Sequence, residues 1–115
     1  MSAAKYKLKI DQGATVRKSF VWKASGTPVD LTGWTARMQI RPAVDSDEVI
    51  HELTTENGGI EIDGPSGQFT LYISDEDTAA FSFDSAVYDL ELVDTAGDVT
   101  RLLSGSVVLS LEVTR

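Results

Sequence analysis

Val87-Tyr88-Asp89-Leu90-Glu91-Leu92-Val93 is the stretch on which the fold turns. Tyr88, Leu90 and Leu92 alternate with Val87, Asp89, Glu91 and Val93. A β-strand converts that period of two into one apolar face and one solvated face. The same rhythm recurs along the chain. Tyr6, Leu8 and Ile10 alternate with Lys5, Lys7 and Lys9. Trp34, Ala36, Met38 and Ile40 alternate with Thr35, Arg37, Gln39 and Arg41, and Phe69, Leu71 and Ile73 with Gln68, Thr70 and Tyr72. Val107, Leu109, Leu111 and Val113 alternate with Val108, Ser110, Glu112 and Thr114. Val16, Phe20 and Trp22 share a parity that Lys18 interrupts. Shorter strand candidates are Val49–Thr54, Gly59–Ile62 and Val99–Leu103.

Turn chemistry separates these runs. Ser25-Gly26-Thr27-Pro28, Asp30-Leu31-Thr32-Gly33, Asn57-Gly58-Gly59, Asp63-Gly64-Pro65-Ser66-Gly67 and Thr95-Ala96-Gly97-Asp98 all carry residues that favour reversals. Many short alternating runs with regular turns predict an all-β, antiparallel sandwich. One short crossover helix is predicted at Ser74–Phe81. There Ser74 and Asp77 form an S-x-x-D cap, and Asp75, Glu76 and Asp77 suit the positive helix start. No repeat, linker or low-complexity stretch divides the chain, so residues 1–115 read as a single domain.

Composition narrows the function. At 115 residues and 42% hydrophobic, the chain can bury a core without disulfides or metals. It has no cysteine, which excludes a disulfide framework, a thiolate metal site and a cysteine nucleophile, and fits synthesis in a reducing compartment. No secretory signal is visible, and no run approaches the ~20 apolar residues of a membrane helix. The expectation is a protein with no membrane partner. The net charge of -8 argues against nucleic acid as a partner. The charge is also split, at +6 over residues 1–42 and -14 over residues 43–115. One reading is solvated outer faces of different strands. The other is a protomer with a basic and an acidic patch that steer docking.

Sites for chemistry are sparse. His51 is the only histidine, and no Ser or Asp spacing marks a partner for it. Asp45-Ser46-Asp47-Glu48, or Asp94 with Asp98, would suit calcium in ligand type but not in EF-hand order, so solvated turn acids are the simpler reading. Gly64-Pro65-Ser66-Gly67 lacks phosphate-loop spacing, and Pro65 removes a backbone donor. No cofactor is expected. Trp22 and Trp34 both have core parity. Trp34 directly follows a turn and is the better candidate for an exposed anchor. The lysine row Lys5, Lys7 and Lys9 reads as the outer face of an edge strand. These three residues, with Trp34, Arg37 and Arg41, are the candidate protein interface.

Asp84-Ser85-Ala86-Val87-Tyr88-Asp89-Leu90 resembles the stretch that opens strand F of immunoglobulin-like domains, with Leu90 in place of the cysteine. That resemblance implies an immunoglobulin-like sandwich whose tyrosine hydroxyl bonds to the backbone of the preceding corner. A wider resemblance covers Gly13–Trp22, the turn Asp30-Leu31-Thr32-Gly33 launching Ala36-Arg37-Met38-Gln39-Ile40-Arg41, then Tyr88-Asp89-Leu90-Glu91-Leu92, Val99–Gly105 and the final Val-rich strand. This order is similar to small virion proteins of tailed phages and prophages, and to the N-terminal β-sandwich of siphophage upper baseplate proteins. It departs from the latter in ending at Arg115 with no helical or receptor-linked extension.

The resemblance implies a non-catalytic structural protein of the virion, made in the host bacterial cytoplasm. It would act in the tail, neck or baseplate as an adaptor or attachment module. Its partners would be other virion proteins and further copies of itself. One alternative is a capsid decoration (cement) protein. A second is a carbohydrate- or calcium-binding sandwich module using Trp34 or the Asp45–Glu48 loop.

Overall fold

In a computed structural model that describes residues 4–114, the alternating runs become eleven strands and one helix. They are β1 (Ala4–Lys5), β2 (Leu8–Asp11), β3 (Val16–Val21), β4 (Lys23–Ala24), β5 (Thr27–Pro28), β6 (Thr35–Arg41), β7 (His51–Thr54), β8 (Ile60–Asp63), β9 (Gln68–Ile73), α1 (Asp75–Ala79), β10 (Ser85–Val93) and β11 (Val99–Ser110). The predicted single domain of residues 1–115 extends at Met1–Ala3 and Arg115 beyond the described residues.

Two sheets face each other. The larger runs β1-β11-β10-β6-β7, with β2 also on β11, and the smaller runs β3-β9-β8. The order β3-β9-β8 against β11-β10-β6-β7 is that of strands B-E-D against G-F-C-C′ of an immunoglobulin sandwich. α1 occupies the E–F crossover, as expected. Ser74 Oγ accepts the Asp77 amide at 3.1 Å, so the predicted cap forms, and α1 ends at Ala79 with Ala80 as its C-cap.

The parity of each run places the core. Ala86, Tyr88, Leu90 and Leu92 of β10 are buried, as are Ala36, Met38 and Ile40 of β6. Phe69, Leu71 and Ile73 of β9 meet them from the smaller sheet, and all belong to one apolar cluster. Each fully buried side chain of this size contributes roughly 1.5–3 kcal/mol, so this face sets the stability.

Three strand expectations are corrected. The fold is not wholly antiparallel, because β1 and β2 both run parallel to β11. Lys5–Ile10 is not one strand but is broken at Tyr6-Lys7. The last two expected strands are one, Val99–Ser110, and it stops before Leu111 and Val113, which are exposed. A register shift between Leu90 and Glu91 lets Leu102 and Leu103 both turn inward. A bulge of this kind inserts an extra residue, and strict alternation does not predict it.

Candidate functional site

The outer face of the larger sheet is built from the polar parity of five neighbouring strands, β1, β11, β10, β6 and β7. Arg37 of β6 lies between Glu91 of β10 and Thr54 of β7, and Glu91 lies beside Arg101 of β11. The next row runs Lys5, Ser104, Asp89, Gln39, Glu52. All of these but Thr54 floor a broad open depression of about 830 Å3. Lys5, Arg37 and Arg41 all line it.

Its charges are largely tied to one another. Arg37 Nε meets Glu91 Oε1 at 2.8 Å, and Arg101 Nε lies 3.5 Å from Asp89 Oδ2. Gln39 Nε2 donates to Glu52 at 2.7 Å. Arg41 donates through Nη2 to Gln39 Oε1 at 2.7 Å and through Nη1 to the Ser46 carbonyl at 2.7 Å. Register explains this. The basic strand β6 from the first part of the chain is inserted beside the acidic strand β10 from the second. On this face the linear charge split becomes an alternating ladder rather than two patches.

The remaining interface candidates lie elsewhere. Lys7 and Lys9 are exposed along the free edge formed by β1 and β2, as the lysine row predicts. Trp34 does not project as a free anchor. It is half-buried, and its ring meets Trp22 edge-on at 5.9 Å at the end of the sandwich where β6 begins. The turn ahead of it is held by Asp30, whose carboxylate accepts the Thr32 hydroxyl at 2.6 Å and the Thr32 amide at 3.0 Å. Those two bonds, the hydroxyl's foremost, lower the pKa of Asp30. Gly33 closes the turn with φ +83, a conformation side chains disfavour.

Tyr88 corrects the corner expected from the immunoglobulin resemblance. Its hydroxyl donates to the Tyr6 carbonyl at 2.7 Å, in the break between β1 and β2, and not to the preceding corner. That corner is filled by α1, whose Thr78 is fully buried. Thr78 Oγ1 shares its one proton between the carbonyls of Ala14 (2.9 Å) and Asp75 (3.1 Å) and accepts the Gly13 amide (3.0 Å). Tyr88 pairs with Gly105 on β11, where a Cβ would collide with the Tyr6 carbonyl oxygen. Burial, then the nearby Tyr6 phenol, push the Tyr88 pKa up to about 12. Nothing in the linear spacing joins Tyr6, Tyr88 and Gly105.

His51 sits at the helix end of the sandwich beside a shallow groove of about 420 Å3. Its Nε2 is 4.0 Å from the Asp77 carboxylate, too long for a hydrogen bond, and its ring packs against Phe81. In the Asp45–Glu48 loop the Ser46 hydroxyl accepts the Glu48 amide, and the Ser46 carbonyl accepts from Arg41. The Asp94 carboxylate accepts the amides of Ala96 and Asp98, both at 2.9 Å, which is the work of a turn residue. No group of three His, Asp or Glu at metal-binding spacing occurs among the described residues.

Fold and surface together define a small immunoglobulin-type sandwich with a broad, mixed-charge outer sheet face. No protein-family model matches the chain, and no curated protein matches it in sequence.

Proposed function

We propose that this chain is a structural protein of a tailed-phage virion, acting through protein–protein contacts as a tail, neck or baseplate adaptor or attachment module. One observation carries the reading. Three of the segments that resemble phage virion proteins, Ala36–Arg41, Tyr88–Leu92 and Val99–Gly105, lie in β6, β10 and β11, which are adjacent in one sheet, while Gly13–Trp22 supplies β3 of the other. Their outward side chains make up most of the broad face, including Arg37, Gln39, Asp89, Glu91 and Arg101. A rigid two-sheet core holding a shallow, polar, patterned surface suits a docking partner better than a small enclosed substrate.

The test is mass spectrometry of purified particles from the phage or induced prophage that encodes the chain. The expected result is its presence at a fixed ratio to the tail proteins, with copy number in multiples of six or twelve. Hundreds of copies per particle would move it to the head lattice as a decoration protein. Absence from mature particles would end the structural reading.

A further inference from the structure

The charge that the sheet face neutralises reappears, unneutralised, on the two flanks of the sandwich. On one flank the β1–β2 edge and β3 come together. The Tyr6 and Phe20 rings meet edge-on at 5.0 Å, and Lys18 Nζ lies 5.6 Å from the centre of the Tyr6 ring. Lys7, Lys9 and Lys18 are exposed there, with Asp11 as the β2 carboxylate, and Arg17 lies beside it on the outer face of β3, its guanidinium 4.7 Å from the centre of the Tyr72 ring. Lys18 sits at the position where core parity fails in the sequence, so a charge takes an inward slot on an edge strand.

The opposite flank is formed by β7 and β8. Asn57 ties them by accepting the amides of Thr54 and Gly59, and Gly59 lies against the Leu53 backbone. Glu56, Glu61 and Asp63 are exposed along it, Glu52 at its margin accepts from Gln39 Nε2 on the sheet face, and Glu48 precedes it. Among the described residues, none of these flank cations or carboxylates takes part in a salt bridge. The strands at both flanks are the outermost of their sheets, so each flank offers free backbone groups as well as charge.

We infer that the basic flank of one copy docks on the acidic flank of the next. A contact between two different patches of identical chains is heterologous. It propagates, and it closes into a ring when the rotation per copy permits. Complementary charge sets the pairing and its direction, and like flanks repel. This goes beyond the virion reading and stands on the surface alone, since self-association and presence in particles are measured separately.

The experiment is sedimentation velocity of the purified chain over a concentration series, at about 0.02 M and about 0.5 M salt, which spans weak to strong screening. Association at low salt that reverts toward monomer at high salt is expected. Two variants assign the flanks: Lys7→Gln/Lys9→Gln/Lys18→Gln, and Glu56→Gln/Glu61→Gln/Asp63→Asn. Each keeps one live flank, so each alone should be monomeric, while an equimolar mixture forms 1:1 dimers and nothing larger. Circular dichroism checks that both remain β-rich. Wild-type protein that stays monomeric throughout overturns the inference, as does association insensitive to salt. Continued assembly of either folded variant alone does the same.

Discussion

The two faces of β10 differ in what holds them. Inward, Leu90 and Leu92 are fully buried and Tyr88 nearly so. Outward, Val87, Asp89, Glu91 and Val93 are only half-buried, and Asp89 and Glu91 reach across to arginines on either side. One strand therefore separates two jobs by parity. The inner residues keep the sheets together, and little stability depends on the outer ones, which leaves them available for the docking role proposed above. The largest test is on the inner face. Leu90→Ala removes a side chain between Met38 and Leu103 on the neighbouring strands. Loss of transfer energy plus the cavity left behind should lower stability by about 2–5 kcal/mol in urea unfolding. A loss below ~1 kcal/mol would mean that the inner face is not the stabilising one.

Tyr88 sharpens the comparison because it puts a polar atom on the apolar side. Tyr88→Phe leaves the Tyr6 carbonyl without its phenol donor and should cost about 1–2 kcal/mol at neutral pH. The pH dependence has a definite sign. The folded pKa, about 12, lies above the ordinary value of 10.0, so the folded state holds this proton more tightly than the unfolded chain. Its contribution is complete below pH 10 and is lost as the pH rises through 12. The loss by pH 12 is on the order of 2 kcal/mol. Unfolding curves between pH 9 and 12 should therefore show the gap between wild type and Tyr88→Phe closing with pH. A gap constant over that range would mean that the phenol is not specially held.

How much of this is visible in the linear chain follows from where each interaction originates. Alternation is local, so the inner residues of β2, β6, β9 and β10 are legible from parity, as is the Ser74 cap, which spans one helical turn. The edge position of Lys7 and Lys9 is legible for the same reason. Register is not local. Nothing near Arg37 announces that Glu91, 54 residues on, will lie beside it, so the linear charge split misses the ladder. Thr78 looks like any helix residue until the turn at Gly13 and Ala14 folds over it, and its burial follows from that contact. Trp34 reads as an anchor because it follows a turn. It is drawn half inward by Trp22, which a different strand delivers. Of the six candidate interface residues, Lys5, Arg37 and Arg41 converge on one surface because β1 and β6 belong to the same sheet, with β11 and β10 between them, and all three residues line its outer face.

The smallest effect tests the outer half of the comparison. Arg37 and Glu91 form the shortest ion pair, yet the arginine side chain is 55% exposed and the glutamate 26%. Water and salt screen such a pair, and ordering two long side chains offsets part of the attraction. A double-mutant cycle with Arg37→Ala and Glu91→Ala should return a coupling of about 0.2–1 kcal/mol at low ionic strength. The coupling should shrink further in strong salt. A value above ~2 kcal/mol would make this pair part of the scaffold, and binding could not then recruit Arg37 without loosening the sheet. At the expected size, either residue can turn from its neighbour to a partner for less than a typical charge-assisted hydrogen bond returns. On the docking role proposed above, the outer face then holds its charges in place while unbound and leaves them free to exchange.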